Sequence, residues 1–591
     1  MFTLLFPVSC GSKYIKYWFN PVKIKEEKQM KKTLSLLLAL VMVVSLFAGC
    51  GAKEPEAVEP EATQPVAEAT TPVAEDVATE SETPLKMQWY QGIGVETMFE
   101  NPHTNVQSLL PYMVWDQLST VNTKTNTRYW NLAEEITVSD DYKTATIKVR
   151  EGVKWHDGED FTADDVVFTI YYAALNPLSF FASDLLQIEG AQEVMDGTAD
   201  TISGIAVDGN TITVKFVNPM PLAVNNLGNL NIFPAHCFGE NPDYTALDSH
   251  EYWKNPIGTG VYKISEVQFP DYCKLVRNDD YWGEKAGIKN VTFTAYETLD
   301  AGIMAMAAGD VDFGTTQLIT DKMTANMVIE QNADVKVIDT YGYSYRYFRF
   351  NLNGREDGND KAALENAKIR EAFNLLIDEE ALASVYGDQA VASQVLFSPR
   401  DPQYPAHLQR DWYNPELAVQ MLTENGWNFE DTLDIMYYYT DDTSANIMAY
   451  IQQCLEDAGV KVSTYLCTDT SGDPNWTGKN YDMLYAGGNV AADYQGNGYY
   501  QLTTNGNAIG KVDNQAAYDA AFEKYDFNAG ETRLAGAVEC MELNWNDNYL
   551  LPAYFMNKCV AYDTGNIYVP EVVFEMEGTN HYEWENWKVL N

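Results

Sequence analysis

The sequence predicts an α/β protein built from more than one domain. A chain of 591 residues is too long for a single hydrophobic core, so two or three domains are expected. Hydrophobic residues make up 46% of the chain and aromatic residues 13%, which indicates globular folding over most of it. Strand-like and helix-like hydrophobic patterns also follow one another along the chain, as expected of an α/β protein.

The first 49 residues contain an export signal. Residues 1–29 show no clear apolar periodicity, whereas Met30-Lys31-Lys32 and the apolar run from Leu34 to Phe47 form the basic region and apolar core of a secretory signal. We therefore expect translation to start at Met30. The run of about 14 apolar residues is short for a membrane-spanning helix.

Phe47-Ala48-Gly49-Cys50 follows and resembles a bacterial lipobox, with Phe47 where leucine is usual. Cys50 is therefore the predicted lipidation site. A plain secretory signal with an incidental cysteine is the alternative. Residues 51–84 contain nine acidic residues, five prolines and one lysine, a composition that does not fold. We predict a disordered tether over 50–84 and a lipid-anchored protein on the extracellular face of a bacterial membrane, periplasmic if the cell is Gram-negative.

The net charge of −46 excludes nucleic acid and anionic membrane surfaces as expected partners. Residues 1–49 carry seven lysines and two glutamates, so their removal makes the chain more acidic still. Beyond Cys10 and Cys50 there are six cysteines without CxxC spacing, so disulfides cannot be assigned from sequence. Cys454 and Cys467 are the closest pair, and most of the six are expected to be buried thiols.

The segment from Leu132 to Tyr172 reads as a complete small unit. Thr144 to Val149 alternates apolar and polar residues, as in a half-buried strand. Turns follow at Glu151-Gly152 and at His156-Asp157-Gly158. Thr162 stands three residues before Asp165, a capping-box spacing that predicts a helix start.

Further elements follow from similar local signals. A first strand is predicted at Leu85 to Tyr90, a hairpin around Asp208-Gly209-Asn210, and tight turns at the two glycines of Asn255 to Tyr262. Gly309 is predicted to end a helix. The later predictions are an amphipathic helix at Lys368 to Asp378, a helix capped by Asn414 with Pro415 at its first position, a helix–glycine–strand run from Met448 to Val462, and a strand opening at Tyr481.

These residues together resemble the family 5 extracellular solute-binding proteins of ABC importers, the peptide- and nickel-binding type. The resemblance is densest from Leu132 to Phe168 and includes Val149-Arg150-Glu151-Gly152-Val153-Lys154-Trp155-His156-Asp157-Gly158. Asn255 to Tyr262 is similar to the family's "P.GTGPY", Asn278 to Trp282 to its "NpdYW" and Lys368 to Asp378 to its "VRqAi..AID". The resemblance covers about residues 85–591.

The resemblance implies a two-lobed periplasmic-binding-protein-like α/β fold of class II, or cluster C. It has mixed sheets, an extra subdomain in the first lobe and two hinge crossovers. The predicted organisation is lobe I at 85–344 with a subdomain at about 120–255, lobe II at 345–555, and a return to lobe I at 556–591. A cleft between two lobes is the default site for a small ligand.

The resemblance also implies a ligand site. Family members that bind peptides pair an aspartate of the second lobe with the ligand's amino terminus, and Asp493, followed by Tyr494, occupies a similar position. An ammonium removed from water requires an opposite charge. Gly487 and Gly488 would allow a ligand to approach the backbone, and Trp89, Trp115 and Trp476 are aromatic candidates for cleft contacts. A packing or turn role is the alternative for each of them.

The predicted function is a solute receptor that binds di- or oligopeptides and delivers them to an ABC permease and ATPase complex. It is expected to act as a monomer, without cofactor or metal, and to be no enzyme. The 38 tyrosines and 13 tryptophans keep an oligosaccharide ligand open. A surface hydrolase is the remote alternative: the chain has no Gly-x-Ser-x-Gly or His-Glu-x-x-His motif, and its six histidines lack metal-ligand spacing.

Overall fold

A computed structural model describes residues 81–90, 102–103, 109–122, 127–239, 242–296, 298–314, 322–401, 403–408, 413–468, 470, 472–490, 497–570 and 581–590. These residues lie in one compact unit, Ala78–Asn591. The predicted start at Met30, the lipidation site Cys50 and the tether up to residue 80 lie outside them. Within the described ranges, no helix is long and apolar enough to cross a membrane.

The strands are short and spread over the whole unit, apart from two long ones. They are β1 Leu85–Tyr90, β2 Ser119–Asn122, β3 Thr127–Trp130, β4 Ala133–Val138, β5 Thr144–Val149, β6 Ile205–Asp208, β7 Thr211–Lys215, β8 Tyr262–Gln268, β9 Tyr272–Arg277, β10 Asn290–Tyr296, β11 Phe313–Gly314, β12 Val335–Phe350, β13 Ala390–Ala392, β14 Thr432–Tyr437, β15 Lys461–Leu466, β16 Met483–Val490, β17 Leu550–Asp563, β18 Ile567–Tyr568 and β19 Lys588–Val589.

The α-helices lie between these strands. They are α1 Leu110–Val114, α2 Ala163–Leu175, α3 Ala182–Leu185, α4 Ala191–Met195, α5 Ala223–Gly228, α6 Leu299–Ala307, α7 Lys322–Gln331, α8 Ala367–Asn374, α9 Glu379–Ser384, α10 Pro415–Glu424, α11 Asp442–Asp457, α12 Pro474–Thr477, α13 Gln515–Asp526 and α14 Gly530–Asp547.

One mixed sheet runs through the unit, in the order β15-β14-β16-β12-β17-β11-β1-β10-β9-β8, with β13 added on β17. β11, β1, β10, β9 and β8 form its first half, and β16, β14 and β15 form its second half. Parallel pairs occur in both halves: β1 pairs with β10 and β11, and β14 pairs with β15 and β16. The long antiparallel strands β12 and β17 pair with each other between the two halves.

The halves have separate hydrophobic cores. Trp89, Phe293 and Trp587 belong to the core of the first half. Phe348 and Phe350 of β12 face one core of the second half, whereas Tyr345 and Tyr347 of the same strand face another. The strand's two-residue period explains this division, because successive side chains point to opposite faces. A four-stranded sheet, β4-β5-β7-β6, packs against α2 and has its own core.

The local predictions for the segment 132–172 are confirmed. β5 spans the predicted residues and buries Ala145, Ile147 and Val149. Helix α2 begins after Thr162, whose backbone N–H donates to the carboxylate of Asp165 at 2.9 Å. The predicted hairpin at residues 208–210, the helix stop at Gly309 and the cap at Asn414 are present as well.

One local prediction holds for a different reason, and another was wrong in detail. The chain bends at Thr259 and Gly260, as predicted, but neither Gly258 nor Gly260 has a positive φ. A Cβ on Gly258 would lie 1.7 Å from the carbonyl oxygen of Val114, so glycine is needed because the end of α1 passes so close. The helix predicted from Lys368 to Asp378 ends at Asn374, because Asp378 caps the next helix by accepting from the Ala381 N–H.

The six cysteines that follow Cys50 form no disulfide with one another, and five of them are buried. Cys454 and Cys467, the pair closest in sequence, are therefore not bridged. Cys454 lies on α11, and Cys467 directly follows β15. The hydrophobic cores hold this fold together without a disulfide among the described residues.

Candidate functional site

The two halves of the main sheet meet where β12 changes partner. From Val335 to Thr340, β12 pairs with β17 alone. The register then shifts between Thr340 and Ser344, and from Tyr343 onward β12 pairs with β16 on its other side. Irregular pairing of this kind is common next to binding and active sites, because it redirects side chains. The candidate site therefore comprises Ser344–Tyr347 and the facing residues of β16 and β17.

Gly487 and Gly488 lie on β16 opposite Arg346 and Tyr345. A Cβ on Gly487 would lie 2.4 Å from the Tyr345 carbonyl oxygen and 2.6 Å from Nη1 of Arg346. A Cβ on Gly488 would instead meet the hydroxyl end of the Tyr345 side chain at 2.7 Å. Both glycines thus lie at the sheet's central junction, and Gly487 is required there by the arginine and the backbone facing it.

Arg346 lies on the same face of β12 as Phe348 and Phe350. Its guanidinium carbon is 4.2 Å from the centroid of the Tyr439 ring, and Nη1 donates to the Tyr345 carbonyl at 3.2 Å. The hydroxyls of Tyr485 and Tyr554 lie 2.5 Å apart within the core on this face. We did not select Arg346 from the sequence. A signal was present, however, because strand alternation assigns Arg346 to the face of two buried phenylalanines.

The opposite face of β12 contains a second polar group. Tyr347 donates its hydroxyl to the side-chain oxygen of Gln501 at 3.0 Å, and Nη1 of Arg349 donates to the same oxygen at 2.8 Å. Gln501 belongs to a 3₁₀ helix, Asn497–Leu502. Within the described part of the chain, Arg349 thus donates to a side chain, whereas Arg346 donates to a backbone carbonyl.

The three candidate tryptophans differ in position. Trp89 is 2% exposed and Trp115 is 1% exposed, and both belong to the core of the first half. The Trp115 indole N–H donates to the hydroxyl of Tyr252 at 2.8 Å. Trp476 is partly buried and packs edge-on against Tyr438, with centroids 5.5 Å apart. Because Trp89 and Trp115 are buried, they have almost no exposed surface with which to contact a ligand. The candidate site therefore does not include them.

Asp493 and Tyr494 lie outside the described residues, between Val490 at the end of β16 and Asn497 at the start of the 3₁₀ helix. Their predicted role as ligand contacts stays a prediction. The chain reaches them directly from Gly487 and Gly488, along the strand that faces Arg346.

A cavity of about 710 Å³ lies between elements from distant parts of the chain, a volume within the usual range of small-ligand sites. Phe180, Asp184 and Asn226 line it from one side, and Tyr500 and Asp526 from the other. Burial raises the pKa of Asp184 to about 6, and the neighbouring Asp526 adds to the increase. The pKa of Asp526 is raised as well, mainly by burial. The cavity therefore presents carboxyl and amide groups.

A smaller cavity, of about 370 Å³, lies against the first-half core and is lined by aromatic residues. Asp116 is buried at its wall and accepts from the Trp282 indole at 2.8 Å and the Tyr281 hydroxyl at 3.0 Å. Burial raises the pKa of this carboxyl, although its neutral donors oppose the rise. Because these donors satisfy the carboxylate, we interpret Asp116 as a structural residue. It joins the segment after α1 to the segment after β9.

One group of metal-ligating residue types occurs in the part of the chain that the structure describes: Asp157, His236 and Cys237, whose ligand atoms lie within 4.8 Å of one another. Nε2 of His236 lies 3.0 Å from a carboxylate oxygen of Asp157. That contact explains the proximity of the histidine and the aspartate, and we assign no metal to the group. His156 of the same segment lies 2.9 Å from the Gly260 carbonyl through Nε2 and accepts from the Gly258 N–H at 3.1 Å through Nδ1.

The comparison with known proteins agrees with this architecture. The family model of bacterial extracellular solute-binding proteins, family 5 middle, matches residues 129–510. The chain therefore belongs to the family 5 extracellular solute-binding proteins. Members of this family bind solutes outside the cytoplasm and are not enzymes as a class.

Two curated relatives show the extent of the match. The oligopeptide-binding protein AppA of Bacillus subtilis is 28% identical over 426 residues, which cover 67% of this chain and 72% of AppA. The periplasmic oligopeptide-binding protein OppA of Haemophilus influenzae is 26% identical over 448 residues, which cover 70% of this chain and 77% of OppA.

Solved structures show the same fold at lower identity. NikZ from Campylobacter jejuni in complex with Ni(L-His) has a TM-score of 0.68 and 17% identity, and the match covers 85% of this chain and 99% of NikZ. AppA from B. subtilis with a nonapeptide has a TM-score of 0.65 and 21% identity, covering 86% and 100%. The predicted fold class, a two-lobed α/β binding-protein fold with mixed sheets, is thereby confirmed. The predicted domain boundaries stay predictions.

Proposed function

We propose that this protein is a peptide receptor of an ABC importer. The observation that carries the proposal is the match to oligopeptide-binding proteins over two thirds of the chain or more. These relatives favour a peptide ligand over the oligosaccharide that the aromatic content had left open. The receptor performs no reaction itself and transfers its ligand to a permease, whose ATPase subunits supply the energy.

The proposed site lies between the two lobes, near the strands that cross from one half of the sheet to the other. Asp493 supplies the charge for the ligand's amino terminus, and Tyr494, Gly487, Gly488 and Trp476 lie within 17 residues of it in the sequence. Extended backbone such as β16 can pair with a peptide main chain, which gives affinity without demanding a particular ligand sequence. Hinge bending between lobes would enclose the ligand.

We propose further that the protein is held at the outer face of the membrane by lipid on Cys50 and acts as a monomer. The apolar run before Cys50 and the acidic, proline-rich tether after it support this placement. One acyl chain gives only marginal binding, so stable anchoring requires at least two.

The function is tested by native mass spectrometry of the purified protein with mixed pentapeptides and, separately, with mixed oligosaccharides. We expect bound masses that match peptides and that added peptides displace. Selective retention of oligosaccharides would overturn the peptide assignment but leave a receptor, whereas turnover of either ligand during a long incubation would indicate a hydrolase.

Asp493→Ala extends this test to the site. Loss of a buried partner for an ammonium costs about 2–5 kcal/mol, so peptide affinity should fall at least 30-fold. N-acetylated peptides, which lack the ammonium, serve as the matched control and should bind the variant at least as well as the parent, because the acetylated ligand leaves the Asp493 carboxylate of the parent unpaired. A change of less than a few-fold for free peptides would refute the role of Asp493.

A further inference from the structure

The smaller cavity, of about 370 Å³, lies apart from the proposed peptide site. Three segments form most of its wall: residues 112–131, 281–284 and 581–585. None of the described residues that line it belongs to β12, β16 or β17. Its volume falls within the usual range of small-ligand sites. The cavity is therefore a second concave surface that the peptide function does not use.

Aromatic rings dominate the wall of this cavity. Some of the rings are partly exposed and thus available to a ligand, and these are Tyr112, Tyr129, Trp130, Tyr281, Trp282 and Trp584. The face of an aromatic ring carries negative electrostatic potential and attracts a cation placed over it. Several ring faces around one space form the kind of cage that recognises alkylated ammonium groups.

The rings are held in place by contacts with the protein itself. The Trp282 indole donates to Asp116 at 2.8 Å. Tyr129 stacks on His581, with centroids 3.6 Å apart and an angle of 6° between the planes, and Nδ1 of His581 lies 3.1 Å from Oγ1 of Thr120. A ligand would therefore meet a preformed wall, and little side-chain entropy would be lost on binding.

The charge of the cavity is the second observation. Asp116, Glu284, Glu583 and Glu585 line it, whereas no lysine or arginine does so within the described ranges. Burial raises the pKa of Glu585, and the carboxylates of Glu284 and Glu583 raise it further. No lysine or arginine is among the groups that oppose the raised pKa of Glu585 or of Asp116. Negative charge thus accumulates beside the rings without a neighbouring counter-charge.

Two arginines do contact the rings, but neither lines the cavity. The guanidinium carbon of Arg150 is 4.8 Å from the centroid of Trp282, and that of Arg128 is 5.9 Å from the centroid of Trp130. Arg150 donates to the backbone carbonyls of Asn131 at 2.6 Å and Trp130 at 3.2 Å. These contacts show that the rings accept cations, and they leave the carboxylates of the cavity without an ion pair among the described residues.

We propose that this cavity binds a small organic cation of the alkylammonium class. The ring faces contact the alkyl groups around the charged nitrogen, and the glutamates supply the opposite charge. A calcium ion fits less well, because it takes about six to eight oxygen ligands and rings supply none. A neutral sugar could stack on the rings but would leave the carboxylates uncompensated. The proposal goes beyond the peptide function and does not depend on it.

Isothermal titration calorimetry of the purified protein tests the proposal, with choline as the probe. Dimethylbutanol, in which carbon replaces the nitrogen of choline, has the same shape without the charge, and methyl glucoside tests for sugar stacking. We expect choline to bind roughly tenfold more tightly than dimethylbutanol, or better. No binding of choline, equal affinity for both compounds, or tighter binding of methyl glucoside would overturn the proposal. None of these results requires a variant to fold, and each leaves the peptide function intact.

Two variants locate the bound cation. Glu585→Gln keeps the shape of the side chain and should fold, because it relieves repulsion from Glu284 and Glu583. Trp584→Leu removes one ring of the wall. Each should weaken choline binding by roughly fivefold or more. Unchanged affinity in both variants would place the cation elsewhere and overturn the assignment.

Glu416→Gln is the matched control, because it removes the same charge from an exposed position on α10, in the second half of the sheet. It should bind choline as the parent does. An equal loss of affinity in Glu416→Gln and Glu585→Gln would indicate a general effect of net charge and would overturn the assignment to the cavity.

Discussion

At the residue scale, glycine is decisive at the junction of the two sheet halves. Gly487 has a backbone conformation open to other residues, since its φ is not in the left-handed region. It is required because a Cβ would overlap the carbonyl of Tyr345 on the neighbouring strand, and a backbone atom cannot move away without breaking the pairing of β12 with β16. Gly488 faces only the end of a side chain.

Gly487→Ala and Gly488→Ala should therefore differ. We expect Gly487→Ala to lower the free energy of unfolding by about 1–3 kcal/mol, as overpacking commonly does, and Gly488→Ala to lower it less, because Tyr345 can shift its hydroxyl. Urea denaturation of the two variants measures the difference. Equal destabilisation of the two variants would mean that the backbone overlap at Gly487 is relieved without an additional cost in the free energy of unfolding.

At the element scale, Arg355 fixes the segment after β12 to the second half of the sheet. It donates to Asp434 on β14 at 2.8 Å and to Asp482, just before β16, at 3.0 Å. It also contacts both carboxylate oxygens of Asp357, at 3.0 and 2.7 Å. The pKa of Asp357 is held well below its usual range by this arginine. The side chain of Asp482 is only 2% exposed, so its charge depends on these neighbours.

Arg355→Met should lower the free energy of unfolding by about 3–5 kcal/mol, because it leaves the buried carboxylate of Asp482 without its main partner. Lys368→Met provides the control: Lys368 forms an exposed pair with Glu371 three residues along, and such pairs contribute about 1 kcal/mol or less. Chemical denaturation at pH 7 compares the two. A loss at Arg355 no greater than at Lys368 would contradict the role of this cluster.

At the scale of the whole molecule, distant parts of the chain meet at the cavity lined by Asp184 and Asp526. Asp184 lies on α3 and accepts from the side-chain amide of Asn226 at 2.9 Å. Its pKa in the folded protein is raised from 3.8 to about 6. The folded protein therefore binds a proton that the unfolded chain has already released in this pH range. Stability is highest below pH 4 for this group and is lost as the pH rises through about 6.

Asp184→Asn should remove this dependence. At pH 7.5 we expect the variant to be more stable than the parent by roughly 1–2 kcal/mol, a value reduced for partial exposure of the carboxyl. At pH 3, below the ordinary pKa of 3.8, the difference should be much smaller, since the parent carboxyl is then mostly protonated in both the folded and the unfolded state. Thermal unfolding at both pH values measures the effect, with Asp200→Asn as an exposed control. A stabilisation that is the same at both pH values would show that Asp184 does not titrate as described.

The sequence predicted those features of the fold that depend on residues close together in the chain, and it failed where the contacts come from distant segments. Thr162 and Asp165 lie three residues apart and fixed a helix start correctly, and Ala145, Ile147 and Val149 identified a buried face. The bend near Gly258 and Gly260 was predicted, but the reason that these positions require glycine was not, because their close contacts come from Met113 and Val114, over 140 residues away.

The sequence by itself determined the family, the fold class and most strands and helices, because these depend on local periodicity and on long matching motifs. Only the tertiary structure decided which polar residues lack a partner. Arg346 and Arg349 are alike in the sequence, three residues apart in one aromatic strand. The folded sheet separates them: Arg349 meets Gln501, whereas Arg346 enters a tyrosine-rich core beside Gly487 without an acidic neighbour among the described residues. Burial and pairing are properties of distant segments brought together, so a single strand's sequence does not contain them.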